Sequence, residues 1–276
     1  MNAEWAVSQT SSRYRPLFAS FAVRQPVWWG TALVFLALLA CFALASLVDE
    51  RAFNGVSVWS KPFKFSLSLA VYFATLAWFA PLLPNGYFEA RKGRLLAWIA
   101  VACAVFEMVY IVVQASRGQA SHFNLTTPFY ITMYSLMGAG ALSLVAVCLW
   151  TGVVILRSRS VAQPYVLAVG LGLILTFVLG GGFGSYLSAQ TGHWVGGTHS
   201  DANGVWLMHW SRDGGDLRVA HFFGMHAMQV LPFVGALVTR WMSRRNGVAL
   251  VIAATLVYAV ATTFTFVQAI DGVPFM

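Results

Sequence analysis

The fold this sequence predicts is all-α and polytopic: seven transmembrane helices in one bundle. Three observations predict it. Of the 276 residues, 59% are hydrophobic and 9% charged, against about 25% charged in an ordinary soluble domain. The apolar residues gather into seven stretches, each near the ~20 residues that cross a hydrocarbon core. Lys and Arg concentrate in alternate connections between those stretches. A mean hydropathy of +0.71 excludes a soluble enzyme, a disordered chain and a nucleic-acid binder with a water-facing basic surface. The net charge of +8 is read as the cytoplasmic excess of basic residues, with the lipid bilayer as partner and no nucleic acid.

Residues 1–26 form a basic cytoplasmic segment carrying Arg13, Arg15 and Arg24, with Glu4 as its acid. The first span is 27–48. Its end, Phe42-Ala43-Leu44-Ala45, has the small-x-small spacing of a signal cleavage site, but a polar lead of about 26 residues is long for a signal sequence. The span is therefore expected to be retained. The second span, 64–84, follows Ser60-Lys61-Pro62, read as a Ser cap with Pro at the first helical position. The third, 95–115, follows Arg91, Lys92 and Arg94. The fourth, 129–156, opens on Thr127-Pro128, and the fifth, 165–188, follows Arg157 and Arg159.

The fifth span contains Gly180-Gly181-Gly182-Phe183-Gly184, a small-xxx-small spacing that allows close helix approach or local unwinding. The following connection, 189–216, is too long for a turn and carries Trp194, Trp206 and Trp210 among glycines, so it is expected to fold back as a lid. The sixth and seventh spans, 217–240 and 247–268, are joined by a turn containing Arg244 and Arg245, and residues 269–276 form a short tail. The basic connections all fall on the N-terminal side of the membrane. The other side mixes Arg51, Lys61, Lys64, Arg117, Arg212 and Arg218 with six acids. The expectation is a cytoplasmic N-terminus, an outer C-terminus and an outward-facing site, in a bacterial cytoplasmic membrane.

Ionisable groups inside a span are expensive, and each is a functional candidate. Glu107 lies within the third span. At about 100° per residue, Cys103, Glu107, Tyr110, Gln114 and Arg117 form one polar stripe toward the outer surface. All six histidines, His122, His193, His199, His209, His221 and His226, lie in outer connections or outer helix halves. His221 and His226 share the sixth span at i, i+5, about 140° apart, which is poor for one ion on one helix. Glu107 and His226 lie at matching depth, so a proton relay between them is possible geometrically. Cys41, Cys103 and Cys148 sit in apolar runs without ligand spacing and are read as buried, inert thiols.

Lys61, Lys64 and Arg218 occupy first helical turns, where the dipole disfavours a cation unless an anion joins it. Ser68, Tyr130, Tyr134, Ser185, Tyr186 and Gln268 are further candidates for the same cavity.

Two chemical readings follow. In the first, His122, His221 and His226 hold a transition metal or haem, Glu107 and His226 are catalytic, and Lys61, Lys64, Tyr110, Gln114, Arg117 and Arg218 bind an anionic group. Met108, Met133, Met137, Met225 and Met228 could add soft ligation. In the second, the same cavity serves a proton-coupled transporter or binding protein for a small anion. A third reading, an assembly or sensory subunit, requires those polar residues to face outward. The Asp201–Gly204 start of a calcium-type loop lacks its closing acid, since Arg212 stands there, so calcium is not expected. The seventh span has no lysine for a retinal Schiff base, and no HxxxH metal pair occurs.

Overall fold

The computed structural model describes residues 24–276; Glu4, Arg13 and Arg15 lie outside the described residues. Seven helices are long and apolar enough to cross a membrane: α1 Pro26–Val48, α2 Ser60–Leu82, α3 Arg91–Ser116, α4 Pro128–Ser158, α5 Pro164–Ser188, α6 Leu217–Trp241 and α7 Arg244–Ile270. They form an all-α bundle in which each helix packs on its neighbours in sequence, with α7 also reaching α5. The helices carry apolar residues on outward faces as well as in the core. Leu256, Val257, Val260 and Phe264 of α7 stay exposed. Cys41 is exposed on α1, unlike buried Cys148, so the expected burial of all three thiols does not hold.

The ends of the helices follow local chemistry. Gln25, Thr127, Asp216 and Ser243 each accept a hydrogen bond from a first-turn amide of α1, α4, α6 and α7. Ser60 does not cap α2, contrary to expectation. It is already the first helical residue, behind Trp59, which makes no side-chain cap bond. Of the donors two and three residues on, Pro62 has no N–H and the Phe63 amide donates to the Trp59 carbonyl at 3.0 Å.

Aromatic residues close the α1–α2 contact, with Phe35 and Phe73 stacked at 6.0 Å. Small residues set the α5–α6 contact. A Cβ at Gly172 would stand 2.8 Å from the Ala227 carbonyl, and one at Gly224 would stand 2.6 Å from the Gly180 nitrogen. There α5 widens into a π turn over Thr176–Gly181. The Thr176 hydroxyl accepts from the Met228 amide at 3.0 Å and donates to the Met225 carbonyl at 3.4 Å. Such turns are rare and recur at functional sites.

One end of the bundle carries the connections 49–59, 117–127 and 189–216 and the C-terminal tail. Strands β1 (Ala52–Phe53) and β2 (Val56–Ser57) pair across Asn54-Gly55, both at positive φ, as a two-residue hairpin turn requires. Strands β3 (Trp194–Val195) and β4 (Gly215–Asp216) pair at the base of the long connection. Its apex docks on the β1–β2 turn, where the Asp201 amide donates to the Asn54 carbonyl at 3.0 Å. Trp210 packs edge-on against Phe275 of the tail, ring centroids 5.7 Å apart. The segment 189–216 therefore lies across the helix ends and is called the lid below.

The α5–α6 approach yields a direct test. Gly224→Ala should destabilise the bundle by about 1–3 kcal/mol through overpacking, whereas Gly30→Ala, with nothing within 4 Å, should leave the unfolding midpoint unchanged or slightly raised. Equal midpoints for the two variants in one detergent would refute the contact.

Candidate functional site

The α3 stripe points inward. Glu107, Tyr110 and Gln114 are buried, and among the described residues Glu107 Oε1, the Tyr110 hydroxyl and Gln114 Oε1 have no hydrogen-bond partner. Gln114 does spend its amide, donating to the Ala120 carbonyl at 3.0 Å. Glu107 faces Gly140 of α4; a Cβ there would stand 3.1 Å from its carboxylate. Arg117 does not join the interior group. It is the exposed C-cap of α3, where the helix ends and the side chain leaves the bundle.

At the lid end, Lys61 and Lys64 stand in the first turn of α2, half-buried. Lys61 lies over the Phe65 ring at 5.9 Å and within electrostatic reach of Lys64, Arg218, Asp201 and Glu107. Lys64 donates to the Met208 carbonyl of the lid at 3.3 Å. Neither lysine has a carboxylate within 4.0 Å among the described residues. The nearby acid Asp49 is already taken, by Arg51 at 2.7 Å and by the Trp59 indole at 2.7 Å.

Arg218, also expected as a ligand for an anion, is different in already being paired. Its guanidinium binds Asp216 at 2.7 Å, Asp201 at 2.9 Å and the His209 carbonyl at 2.6 Å. The helix-start rule flagged the cation but not its partners. Asp201 comes from the lid, and no sequence spacing announces it. Burial alone would raise the Asp201 carboxyl, but the hydrogen bond from His193 and the Arg218 charge more than offset this and hold it at about 2. His193 is held below its ordinary value by burial, so its neutral ring donates from Nε2 to Asp201 Oδ1 at 3.3 Å.

The histidines expected to hold a metal are not gathered into one. Among the described residues no group of three or more His, Cys, Asp or Glu side chains is placed to hold a metal ion. His122 sits in the connection after α3 between Phe65 and Tyr134, its Nδ1 3.1 Å from Ser121 Oγ. Burial first, then Lys61 and His221, keeps it well below its ordinary value and therefore neutral.

His221 donates from Nδ1 to the Gly180 carbonyl at 2.9 Å, its ring against Gly184. His226 donates from Nδ1 to the Phe222 carbonyl at 2.7 Å on its own helix. The expected Glu107–His226 contact is not made, because the imidazole folds back along α6 while the carboxyl faces α4. Of the further candidates, Ser68, Ser185 and Tyr186 are exposed. Tyr130, Tyr134 and Gln268 bond to Gln119, Ser188 and Pro274.

The lid is therefore latched by a partly buried cation between two carboxylates. Removing that cation leaves both acids uncompensated, at a cost of about 3 kcal/mol. Arg218→Ala should speed hydrogen exchange of the lid amides roughly 100-fold at neutral pH. Exchange unchanged from the wild type would refute the latch. Comparison with protein-family descriptions, with curated proteins and with solved structures returns no match.

Proposed function

We propose that this chain is a membrane-embedded carrier or binding protein for a small anion, a carboxylate or phosphate, that exchanges a proton at Glu107. One observation carries the reading. Among the described residues Lys61 and Lys64 occupy the positive end of α2 without a carboxylate within 4.0 Å, while Arg218 pairs with Asp216 and Asp201. Uncompensated cations in an apolar bundle are costly, and a helix N-terminus adds to the positive field. An anion bound there offsets both. Glu107, within electrostatic reach of Lys61, is a carboxyl without a fixed partner and suits proton exchange with that anion. The inward burial of Glu107, Tyr110 and Gln114 argues against an assembly subunit. The asymmetry of Lys and Arg favours the lid end on the outside and the N-terminus in the cytoplasm, so the anion enters from the outer face.

A second reading rests on the imidazoles. His221 and His226 both commit Nδ1 to a backbone carbonyl, which leaves Nε2 with its lone pair, as in a metal- or haem-ligating histidine. Purified protein should then show a Soret band or a stoichiometric metal that is lost in His221→Ala. A colourless, metal-free protein that no metal or haem reconstitutes sinks this reading.

For the anion reading, acetate, lactate and phosphate should raise the unfolding midpoint in detergent, as any ligand of the folded state does. Lys61→Met with Lys64→Met should weaken that binding at least tenfold. Glu107→Gln should keep binding but abolish anion-driven proton uptake, in cells supplied with the anion from outside. If none of the three anions shifts the midpoint, or the double variant shifts as the wild type does, the reading is wrong.

A further inference from the structure

Ser60 is the first residue of α2, and two features leave its hydroxyl without work in the helix. Pro62 offers no N–H to cap, and the Phe63 amide already donates to the Trp59 carbonyl at 3.0 Å. The hydroxyl turns instead to the lid, where His209 Nε2 lies 3.2 Å from Ser60 Oγ across 149 residues of chain.

His209 is held there by its backbone. It adopts φ +57, a left-handed conformation that is strained for a non-glycine residue and that clusters at functional sites. Its amide donates to the Val205 carbonyl at 2.6 Å, and its carbonyl accepts from Arg218 at 2.6 Å. The latch therefore fixes the backbone that carries the ring. Three charged groups act on it: Lys64, Asp201 and Arg218. Burial first, then the two cations against Asp201, holds the imidazole below its ordinary value, in the neutral form able to take a proton.

We propose that Ser60 and His209 are a nucleophile and general base that hydrolyse carboxylic esters at the lid end of the bundle. Hydrogen-bonded Ser–His pairs activate serine for acyl transfer. Ser60 Oγ attacks the acyl carbonyl while His209 Nε2 takes its proton. Pro62 has no N–H and the Phe63 amide donates to the Trp59 carbonyl at 3.0 Å, so the Ser60 and Lys61 amides at the start of α2 are the donors beside the hydroxyl for the developing oxyanion. Collapse breaks the ester C–O bond, and His209 returns the proton to the departing alcohol, leaving an acyl-Ser60. Water, deprotonated by His209, then releases the carboxylic acid and restores the serine. Esters bearing an anionic group are favoured, a clause that rests on Lys61 and Lys64 acting as proposed above.

The full chain in detergent, treated with a neutral fluorophosphonate and mapped by peptide mass spectrometry, tests the pair. Ser60 should be labelled, with His209→Gln slowing labelling about 100-fold and Ser57→Ala leaving it unchanged. The rate should fall as pH drops through the His209 titration. Ser60→Cys keeps a nucleophile in place, and its alkylation by iodoacetamide should be faster with His209 than with the Gln variant. Either no label at Ser60 in protein whose lid amides are protected, or labelling and alkylation indifferent to His209, overturns the proposal. Hydrolysis of p-nitrophenyl succinate and p-nitrophenyl acetate reads the charge preference separately. Equal loss of both in Lys61→Met with Lys64→Met removes the anionic clause and leaves the pair standing.

Discussion

Arg218 takes both carboxylates that reach it, Asp216 at its own helix start and Asp201 from the lid, and most of the lid end depends on that allocation. Polar groups inside an apolar bundle must find partners within the chain. Because one cation consumes both acids, the two lysines at the start of α2 are left with a backbone carbonyl and an aromatic face. The same guanidinium holds the His209 carbonyl, so the backbone of the lid is positioned by an ion pair rather than by apolar packing alone.

The second organising element is the contact between α5 and α6. Glycines on both helices bring the backbones together, and the π turn of α5 takes up the resulting mismatch. Thr176 spends its hydroxyl on two backbone groups of α6, and the Gly180 carbonyl is free to take the His221 imidazole. The ring orientation is thus a product of helix packing.

The helices were legible because their signal is long and repeated: twenty apolar residues leave few alternatives. Helix starts were partly legible. Thr127-Pro128 behaved as its pattern implied, whereas Ser60 did not, because Pro62 has no N–H and the Phe63 amide goes to the Trp59 carbonyl. The inward face of Glu107, Tyr110 and Gln114 followed from helical angle alone. What could not be read were contacts between distant segments: Asp201 with Arg218, His209 with Ser60, and the return of His226 onto Phe222. Matching depth does not imply contact, because the side-chain rotamer decides which way a ring faces.

Asp216 holds three positions at once. It belongs to the two-residue ladder at the base of the lid, it caps the first turn of α6, and it binds Arg218. Releasing the lid by breaking that ladder therefore also uncaps the helix and frays the turn that leads to His221. Displacement of the lid is thereby coupled to the top of α6, about one helical turn from His221.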